Sequence, residues 1–367
     1  MRSVLPATTK ERSAKRTEPL RALMRERGVE AMLIQKPENR RYVTGFSGSA
    51  GFVLVSATAS ILLVDFRYVE QAQTEAPAFE VIKAERQFID TLAEVVPARG
   101  LGRIGFESDA MSYKQYEDFS KRLAPAVLVP VEGVDRLRWV KDADEIARIT
   151  RAVEIADEAF AHIRSILRTG AVEREIAIEM EFFMRRRGAD KEAFETIVAS
   201  GPRSALPHGR ASERVLARGD FVTLDFGALY QGYVSDCTRT VVLGEASPKQ
   251  REIYQLVLAA QRAALSGIKP GISGKDADTI ARKIIADAGY GEAFGHSLGH
   301  GVGLAVHEGP TLSPREEAIL APGMVVTVEP GIYLAGWGGV RIEDLVVITE
   351  AGCRPLTRSP KELLILS

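Results

Sequence analysis

From Asp142 onward the chain repeats one order of elements, two helices followed by strands, in two successive stretches. In the first stretch, apolar residues at helical spacing start at Ile146, and a second helix is predicted to end at Gly188. In the second stretch, Ser247 and Ser273 each open a helix ahead of further strands. The repeat predicts an α+β domain of pseudo-twofold symmetry, with helices covering one sheet and a site where the two halves meet.

The first helix of this domain carries clear end signals. Asp142, with Glu145 three residues later, forms a plausible capping pair. Gly170 stands where a C-terminal cap is expected, so the helix is predicted to run from Asp142 to that glycine.

The preceding residues alternate short apolar runs with turn signals, which is typical of an α/β domain. Strands are predicted at Val53–Val55 and Ile61–Val64, and a helix is predicted at Arg67–Glu75. We therefore expect an N-terminal α/β domain over residues 19–135 and a second domain over residues 141–367.

Composition and charge exclude several kinds of function. The formal net charge is −1, so no bulk charge favours nucleic acid or an anionic membrane, and no apolar run is long enough to span a bilayer. Residues 1–18 are polar and basic, so we expect a disordered lead-in, with a mitochondrial presequence as the alternative. The two cysteines, Cys237 and Cys353, are too few for a disulfide framework, which fits a cytoplasmic protein.

Acidic residues interrupt apolar strands in both halves of the second domain. Asp225 lies within a predicted strand, where aspartate is disfavoured, and Asp236 lies on the strand that returns from the following turn. The turn length places the two carboxylates opposite each other or one pair away, on the same face. The second half repeats the pattern with Glu329 and Glu343. Two facing carboxylates repel each other unless a cation or a shared proton intervenes. A pair of exposed hairpin acids is the alternative for Asp225 and Asp236, but four acids in apolar strands, two in each half, are unusual.

Four of the five histidines fall in two short segments, as His208 in one and His296, His300 and His307 in the other. His162, on the first helix of the domain, is expected to have a surface or core role. Four carboxylates and one neutral imidazole balance the charge of two divalent cations, which can activate a shared water. This oxygen-rich set favours Mn²⁺, while Co²⁺, Zn²⁺ or Fe²⁺ can bind, and a single metal or a calcium site is the alternative.

The motifs together resemble the proline-dipeptidase and aminopeptidase P group of pita-bread metallopeptidases. The most specific of them is the run from His296 to Glu308, HSLGHGVGLAVHE. Similar segments cover residues 198–209, 224–227, 235–240, 328–333 and 341–344, and residues 42–51 and 65–68 are similar to the family's N-terminal domain. The resemblance implies a creatinase-like α/β N-terminal domain followed by an α+β pita-bread catalytic domain.

The resemblance also implies roles for individual residues. The metal ligands would be Asp225, Asp236, His300, Glu329 and Glu343, with Glu329 also moving protons. The catalytic residues would be His208, His296, His307, Glu329 and Arg341, and the substrate-binding residues would be His208, His307 and Tyr333. Arg341 would orient a carboxylate ligand. The substrates would be peptides with proline at the second position, and the protein would be a homodimer.

Related activities differ in other features. A methionine aminopeptidase would lack the N-terminal domain, a creatinase-like hydrolase would lack the metal ligands, and a non-catalytic peptide-binding relative would have a degenerate site. Some dipeptide-specific relatives place a basic residue shortly after the Val-His-Glu motif, where this chain has Thr311. We therefore expect an Xaa-Pro aminopeptidase, with an Xaa-Pro dipeptidase as the alternative if Arg203, Arg210 or a partner subunit supplies the charge.

Overall fold

The computed structural model describes residues 9–367, which form two compact units that divide between Arg138 and Trp139. This division falls within the interval of residues 136–140 that separates the two expected domains. The elements of the first unit are, in chain order, α1 (Thr9–Arg27), β1 (Ala31–Ile34), α2 (Pro37–Thr44), β2 (Phe52–Ser56), β3 (Ser60–Val64), α3 (Val69–Glu75), β4 (Glu80–Lys83), α4 (Phe88–Ala98), β5 (Arg103–Glu107), α5 (Tyr113–Leu123) and β6 (Val127–Val131).

The first unit is an α/β domain built on a mixed sheet with the strand order β4-β3-β2-β1-β5-β6. Strands β1, β2 and β3 pair antiparallel, and the outer strands pair parallel to their neighbours. The predicted strands near Val53 and Ile61 are β2 and β3. Helices α4 and α5 cover one face of the sheet through Leu92, Val96 and Phe119, which pack on residues such as Leu54.

The expected disordered lead-in is wrong for residues 9–18, because these residues belong to helix α1. The helix is held by contacts within the first unit: Arg16 donates to the carbonyl oxygen of Tyr42 at 2.9 Å and stacks over its ring, and Ser13 donates to Thr44. Such tertiary contacts override the polar composition on which the expectation rested. Residues 1–8 lie outside the described residues.

The second unit consists of two halves that each contain a helix pair and strands. Its elements are α6 (Ala143–Ile166), α7 (Glu173–Arg186), β7 (Lys191–Glu192), β8 (Ile197–Ser200), β9 (Phe221–Phe226), β10 (Ala228–Tyr230), β11 (Tyr233–Val234), β12 (Cys237–Leu243), α8 (Pro248–Gly267), α9 (Gly274–Asp287), β13 (Gly299–Gly301), β14 (Glu308–Leu312), β15 (Val325–Val328), β16 (Gly331–Leu334), β17 (Gly338–Arg341), β18 (Asp344–Ile348), β19 (Cys353–Pro355) and β20 (Ile365–Leu366).

The expected pseudo-twofold order is present, but the strands do not form one continuous hydrogen-bonded sheet. The first half has the order β20-β12-β9-β8 and the second has β14-β13-β15-β18-β19, with β11-β10-β7 and β16-β17 as smaller sheets. Helices α6 and α7 pack on the first sheet, and α8 and α9 pack on the second. Side-chain hydrogen bonds, such as Thr240 Oγ1 to the carbonyl oxygen of Arg341 at 3.0 Å, connect the halves.

The helix-start signals are confirmed, and one helix-end signal is wrong. Asp142 and Glu145 form a reciprocal capping box with both bonds at 2.9 Å, and Ser247 and Ser273 also cap their helices. Helix α6 ends at Ile166 rather than at Gly170, because the buried Leu167 already has an extended backbone. Gly170, with φ of +90°, belongs to the turn that follows.

The cap of α8 gives a stability prediction. Ser247 accepts a hydrogen bond from the backbone of Gln250, so Ser247→Ala should lower the free energy of unfolding by about 1 kcal/mol, measured by urea denaturation. Ser266→Ala, which removes an exposed hydroxyl in the last turn at the opposite end of α8, is the matched control and should change stability by less than about 0.5 kcal/mol. Equal effects of the two substitutions would contradict the capping contribution.

Candidate metal centre

The β9–β12 hairpin places Asp225 and Asp236 on one face of the first half. Its two-residue turn has Gln231 at φ +50° and Gly232 at φ +84°, as expected for a tight hairpin with both central residues left-handed. The register pairs Asp225 with Thr238, so Asp236 is two residues from that partner and diagonal to Asp225. The sequence allowed Asp225 and Asp236 to lie either directly opposite each other or one pair away on the same face. The structure has the second arrangement.

The second half presents two glutamates at the ends of β15 and β18. Val328 pairs with Asp344, so Glu329, which follows β15, stands at the level of Glu343, which precedes β18. Both side chains leave the strands where the backbone ladder stops. The same arrangement in the two halves therefore points four carboxylates at one place.

His300 completes this cluster. Asp236, His300 and Glu343 each offer a ligand atom within 4.8 Å of the others. Nε2 of His300 lies 3.3 Å from Glu329 Oε1 and 3.6 Å from Asp236 Oδ2. The fifth member, Asp225, ion-pairs with Arg341 through Oδ2, while its buried Oδ1 has no hydrogen-bond partner among the described residues.

The charges of these groups conflict with one another. Burial, together with repulsion from Glu343 and Asp225, raises the pKa of Asp236 well above its usual range. Burial and repulsion from Glu329 and Asp225 do the same to the pKa of Glu343. Burial also raises the pKa of Asp225 despite the nearby Arg341. Such a buried anionic cluster requires protons or cations.

Glu329 differs from the other three carboxylates. Burial opposes both of the following pKa shifts. The hydrogen bond and charge of His300 lower the pKa of Glu329 to about 2, and the hydrogen bond and charge of Glu329 raise the pKa of His300. This pairing shows how strongly the cluster attracts positive charge. The unpartnered oxygen of Asp225, four carboxylates and one imidazole fit two divalent cations, with four positive charges against four negative ones.

Neighbouring side chains fix the orientation of these donors. Arg341 donates to Asp225 Oδ2 at 2.6 Å and to Thr238 Oγ1 at 2.9 Å, and Thr238 donates to Glu343 Oε2 at 2.7 Å. Thr327 accepts from the backbone of His300 and donates to Glu329 Oε1, both at 3.0 Å. The roles of the two threonines were missed by sequence reasoning, although each lies two residues from an acid on the same strand face.

The remaining predicted site residues lie around this cluster. His307 stands with its ring centroid 4.4 Å from that of His300, and His208 is exposed nearby. Nε2 of His296 is 2.9 Å from the hydroxyl of Tyr333, which also accepts from Arg341 at 2.8 Å. Tyr333 therefore lies behind His296 and Arg341 rather than among the residues that line the cavity. His162 stacks on Phe183 and contacts Glu179 between α6 and α7.

A cavity of about 720 Å³ opens above the cluster, a size suited to a small ligand. Its walls combine the polar groups described above with apolar side chains. The lining residues are Phe194, Glu195, Ile197, Pro207, His208, Arg210, Asp225, Asp236, His296, Ser297, Gly299, His300, Val306, His307, Glu308, Thr311, Glu329, Arg341 and Glu343. All predicted ligands and all three predicted site histidines thus share one cavity.

The sequence matches two family models in the same order as the two units. Residues 147–350 match the model of metallopeptidase family M24, and residues 16–140 match the creatinase/prolidase N-terminal domain. This chain is a family M24 metallopeptidase. The family implies divalent metal ions, and the cluster of Asp236, His300 and Glu343 is a fitting place for them.

Other family M24 proteins are similar over nearly the whole chain. An Xaa-Pro dipeptidase from Pyrococcus horikoshii is 44% identical, over 93% of this chain and 96% of its own length. The solved structure of an Xaa-Pro dipeptidase from Bacillus anthracis is 48% identical, with a TM-score of 0.95 over 96% of this chain and 100% of that one. An X-Pro aminopeptidase structure from Thermotoga maritima is 42% identical, with a TM-score of 0.87 over 94% and 100%.

Several expectations about this metallopeptidase stay predictions. These are the choice of manganese, the homodimer, the cytoplasmic location and the absence of nucleic-acid and membrane partners. Among the described residues, no helix is both long and apolar enough to cross a bilayer.

The ligand assignment gives a direct prediction. Asp236→Ala removes a donor that lies beside both His300 and Glu343, so bound metal and peptidase turnover should fall together, measured by elemental analysis and a peptide-cleavage assay. Asp287→Ala, which removes an exposed carboxylate paired with Lys283, is the matched control and should keep both. A wild-type metal content in Asp236→Ala would rule out Asp236 as a ligand.

Proposed function

We propose that this metallopeptidase is an Xaa-Pro dipeptidase, which hydrolyses the bond between an N-terminal residue and a C-terminal proline. The observation that carries the hydrolytic part is the convergence of four largely buried carboxylates and His300 at the base of a small cavity. The relatives named Xaa-Pro dipeptidase, similar over almost the full chain, support the substrate class. They favour the dipeptidase over the aminopeptidase expected from the sequence.

Asp225, Asp236, His300, Glu329 and Glu343 would hold two divalent cations, and the oxygen-rich donor set favours Mn²⁺. Such cations supply a polarised scissile carbonyl and an activated water. Arg341 would keep one oxygen of Asp225 engaged and leave Oδ1 for ligation. Thr238 would fix Glu343 in the same way, by donating a hydrogen bond to its Oε2.

Glu329 would carry the proton released by the attacking water, because its carboxylate lies at the cluster, with Oε1 3.3 Å from Nε2 of His300. Burial lowers the pKa of His296, and burial together with the charge of His300 lowers the pKa of His307. A neutral imidazole has one ring nitrogen that donates a hydrogen bond and one that accepts. In His296 the two nitrogens contact the carbonyl oxygen of Ser297 and the hydroxyl of Tyr333. His208 and His307 would contact the substrate, while Tyr333 would position His296 and Arg341.

The role of His307 can be separated from metal binding. His307→Ala should retain its metals but lose about 10²–10⁴ in turnover, the range for a positioned proton-transfer or hydrogen-bonding group. His162→Ala, which alters a histidine between α6 and α7, should change neither property. If His307→Ala loses metal, the histidine is a ligand instead.

An Xaa-Pro aminopeptidase is the second candidate, because one wall of the cavity lacks charge. Thr311 lines the cavity at the place of the basic residue in some dipeptide-specific relatives, and its hydroxyl donates a hydrogen bond to Glu316 at 3.0 Å. The X-Pro aminopeptidase from Thermotoga maritima, 42% identical, also supports this reading. A non-catalytic peptide-binding protein is disfavoured because every expected ligand lies at the cluster.

Wild-type protein distinguishes the two peptidase activities. With Mn²⁺ added to the metal-stripped chain, kcat/KM for Ala-Pro should exceed that for Ala-Pro-Ala by at least about tenfold, since a dipeptidase must recognise the carboxylate of proline. Mass spectrometry of the products identifies the cleaved bond. Equal or faster cleavage of the tripeptide would establish the aminopeptidase, and no cleavage of either peptide would contradict both activities.

A further inference from the structure

Three cavity-lining residues stand side by side on adjacent segments of the first-half sheet. Strand β8 places Ile197 opposite Asp225 of β9, and an isolated bridge on its other edge pairs Ile197 with Arg210. Residues directly opposite each other on paired strands project from the same face. The row consists of Asp225 of the metal cluster, the apolar Ile197 and then Arg210. Two strand spacings separate the backbones of Asp225 and Arg210, a distance of about 10 Å.

The length of this row suits a dipeptide. In an Xaa-Pro dipeptide, the carboxylate belongs to the residue that directly follows the scissile carbonyl. Since consecutive Cα atoms are about 3.8 Å apart, the two groups are separated by the length of about one residue. With that carbonyl at the metal cluster, the proline ring would rest on Ile197 and the carboxylate would come within reach of Arg210. Phe194 and Pro207 add apolar surface to the same cavity.

The two arginines that line the cavity differ in their hydrogen-bond partners and in their exposure. Arg341 is buried and donates to Asp225, Thr238, Tyr333 and the carbonyl oxygen of Pro207. Arg210 has a side chain that is 79% exposed, and Glu195, itself 60% exposed, lies 2.9 Å from its Nε. A pair this exposed is weak and exchanges readily, and the far edge of the guanidinium suits a carboxylate.

A buried carboxylate fixes the segment that carries Arg210. Glu173 accepts from the backbone and hydroxyl of Ser200 at 2.8 and 2.7 Å, and from the same groups of Ser212 at 3.0 and 2.6 Å. Arg203 also binds Glu173 and donates to the carbonyl oxygen of Arg210 at 2.7 Å. The guanidinium of Arg203 is thus used to hold this segment in place. The backbone of Arg210 is fixed by these bonds, and its side chain faces the cavity.

We propose that Arg210 binds the free carboxylate of the Xaa-Pro substrate and so determines the preference for dipeptides. This proposal rests on the proposed dipeptidase activity. It accounts for an uncharged Thr311, since the positive charge comes from a different segment of the cavity wall. Glu195 would compete with the substrate carboxylate for the same guanidinium.

The test compares Ala-Pro with Ala-Pro-amide, which lacks only the negative charge, on the metal-loaded full chain. Arg210→Ala should lower kcat/KM for Ala-Pro by about 10- to 100-fold, chiefly through KM, the scale of a lost charge-assisted hydrogen bond. Cleavage of the amide should stay unchanged, and Arg210→Lys should recover part of the loss. Glu195→Gln should lower KM for Ala-Pro. The matched control is Arg218→Ala, which breaks an equally exposed pair with Glu245 and should leave both substrates unaffected.

The outcomes separate the two proposals. A wild-type protein that does not prefer Ala-Pro over its amide contradicts the dipeptidase activity and, with it, a carboxylate-binding arginine. A wild-type preference that survives in Arg210→Ala overturns the role of Arg210 alone. Equal losses on both substrates also overturn it, because they would show that Arg210 maintains the shape of the cavity rather than recognising charge.

Discussion

The mutual repulsion of four carboxylates at the base of one cavity is the constraint around which the second unit is organised. Burial alone would raise the pKa of each, and their proximity adds to it for Asp236 and Glu343. A fold can keep such groups together only if cations or protons neutralise them and if neighbouring donors hold the oxygens that remain. Arg341 meets the second requirement by gripping Asp225 directly and Glu343 through Thr238.

The pseudo-twofold order explains how the chain gathers these groups. Each half ends its helix pair with strands whose backbone ladder stops next to an acid, Asp236 in the first half and Glu329 and Glu343 in the second. Hydrogen bonds from side chains, such as Thr238 to Glu343, and a backbone hydrogen bond from Glu343 to Thr238 then connect the halves. The solved structure of an Xaa-Pro dipeptidase from Bacillus anthracis, with a TM-score of 0.95, shares this fold.

Much of this could be predicted from the sequence, because strong local signals determine it. An aspartate inside an apolar strand, glycines around His300 and a serine before a helix each have one dominant physical explanation. The helix at residues 9–18 could not be predicted in this way, since tertiary contacts rather than amphipathicity hold it. The roles of Thr238 and Thr327 could not be predicted either. Threonine is common in strands, and the acids to which these two hydroxyls donate are known only from the structure. Arg210 was one of several possible cations until the bridge to Ile197 put it in line with Asp225.

The cavity has a fixed base and an exposed rim. Its base is tied across both halves by Arg341, Thr238 and Glu343, so the ligand groups cannot separate without breaking several buried bonds. His208, Arg210 and His307, in contrast, stand exposed at the rim, on segments that end in turns. Of these three residues, only Arg210 takes no part in the proposed hydrolytic step. A substitution of Arg210 would therefore alter the surface that meets a ligand while the buried hydrogen bonds of the base stay in place.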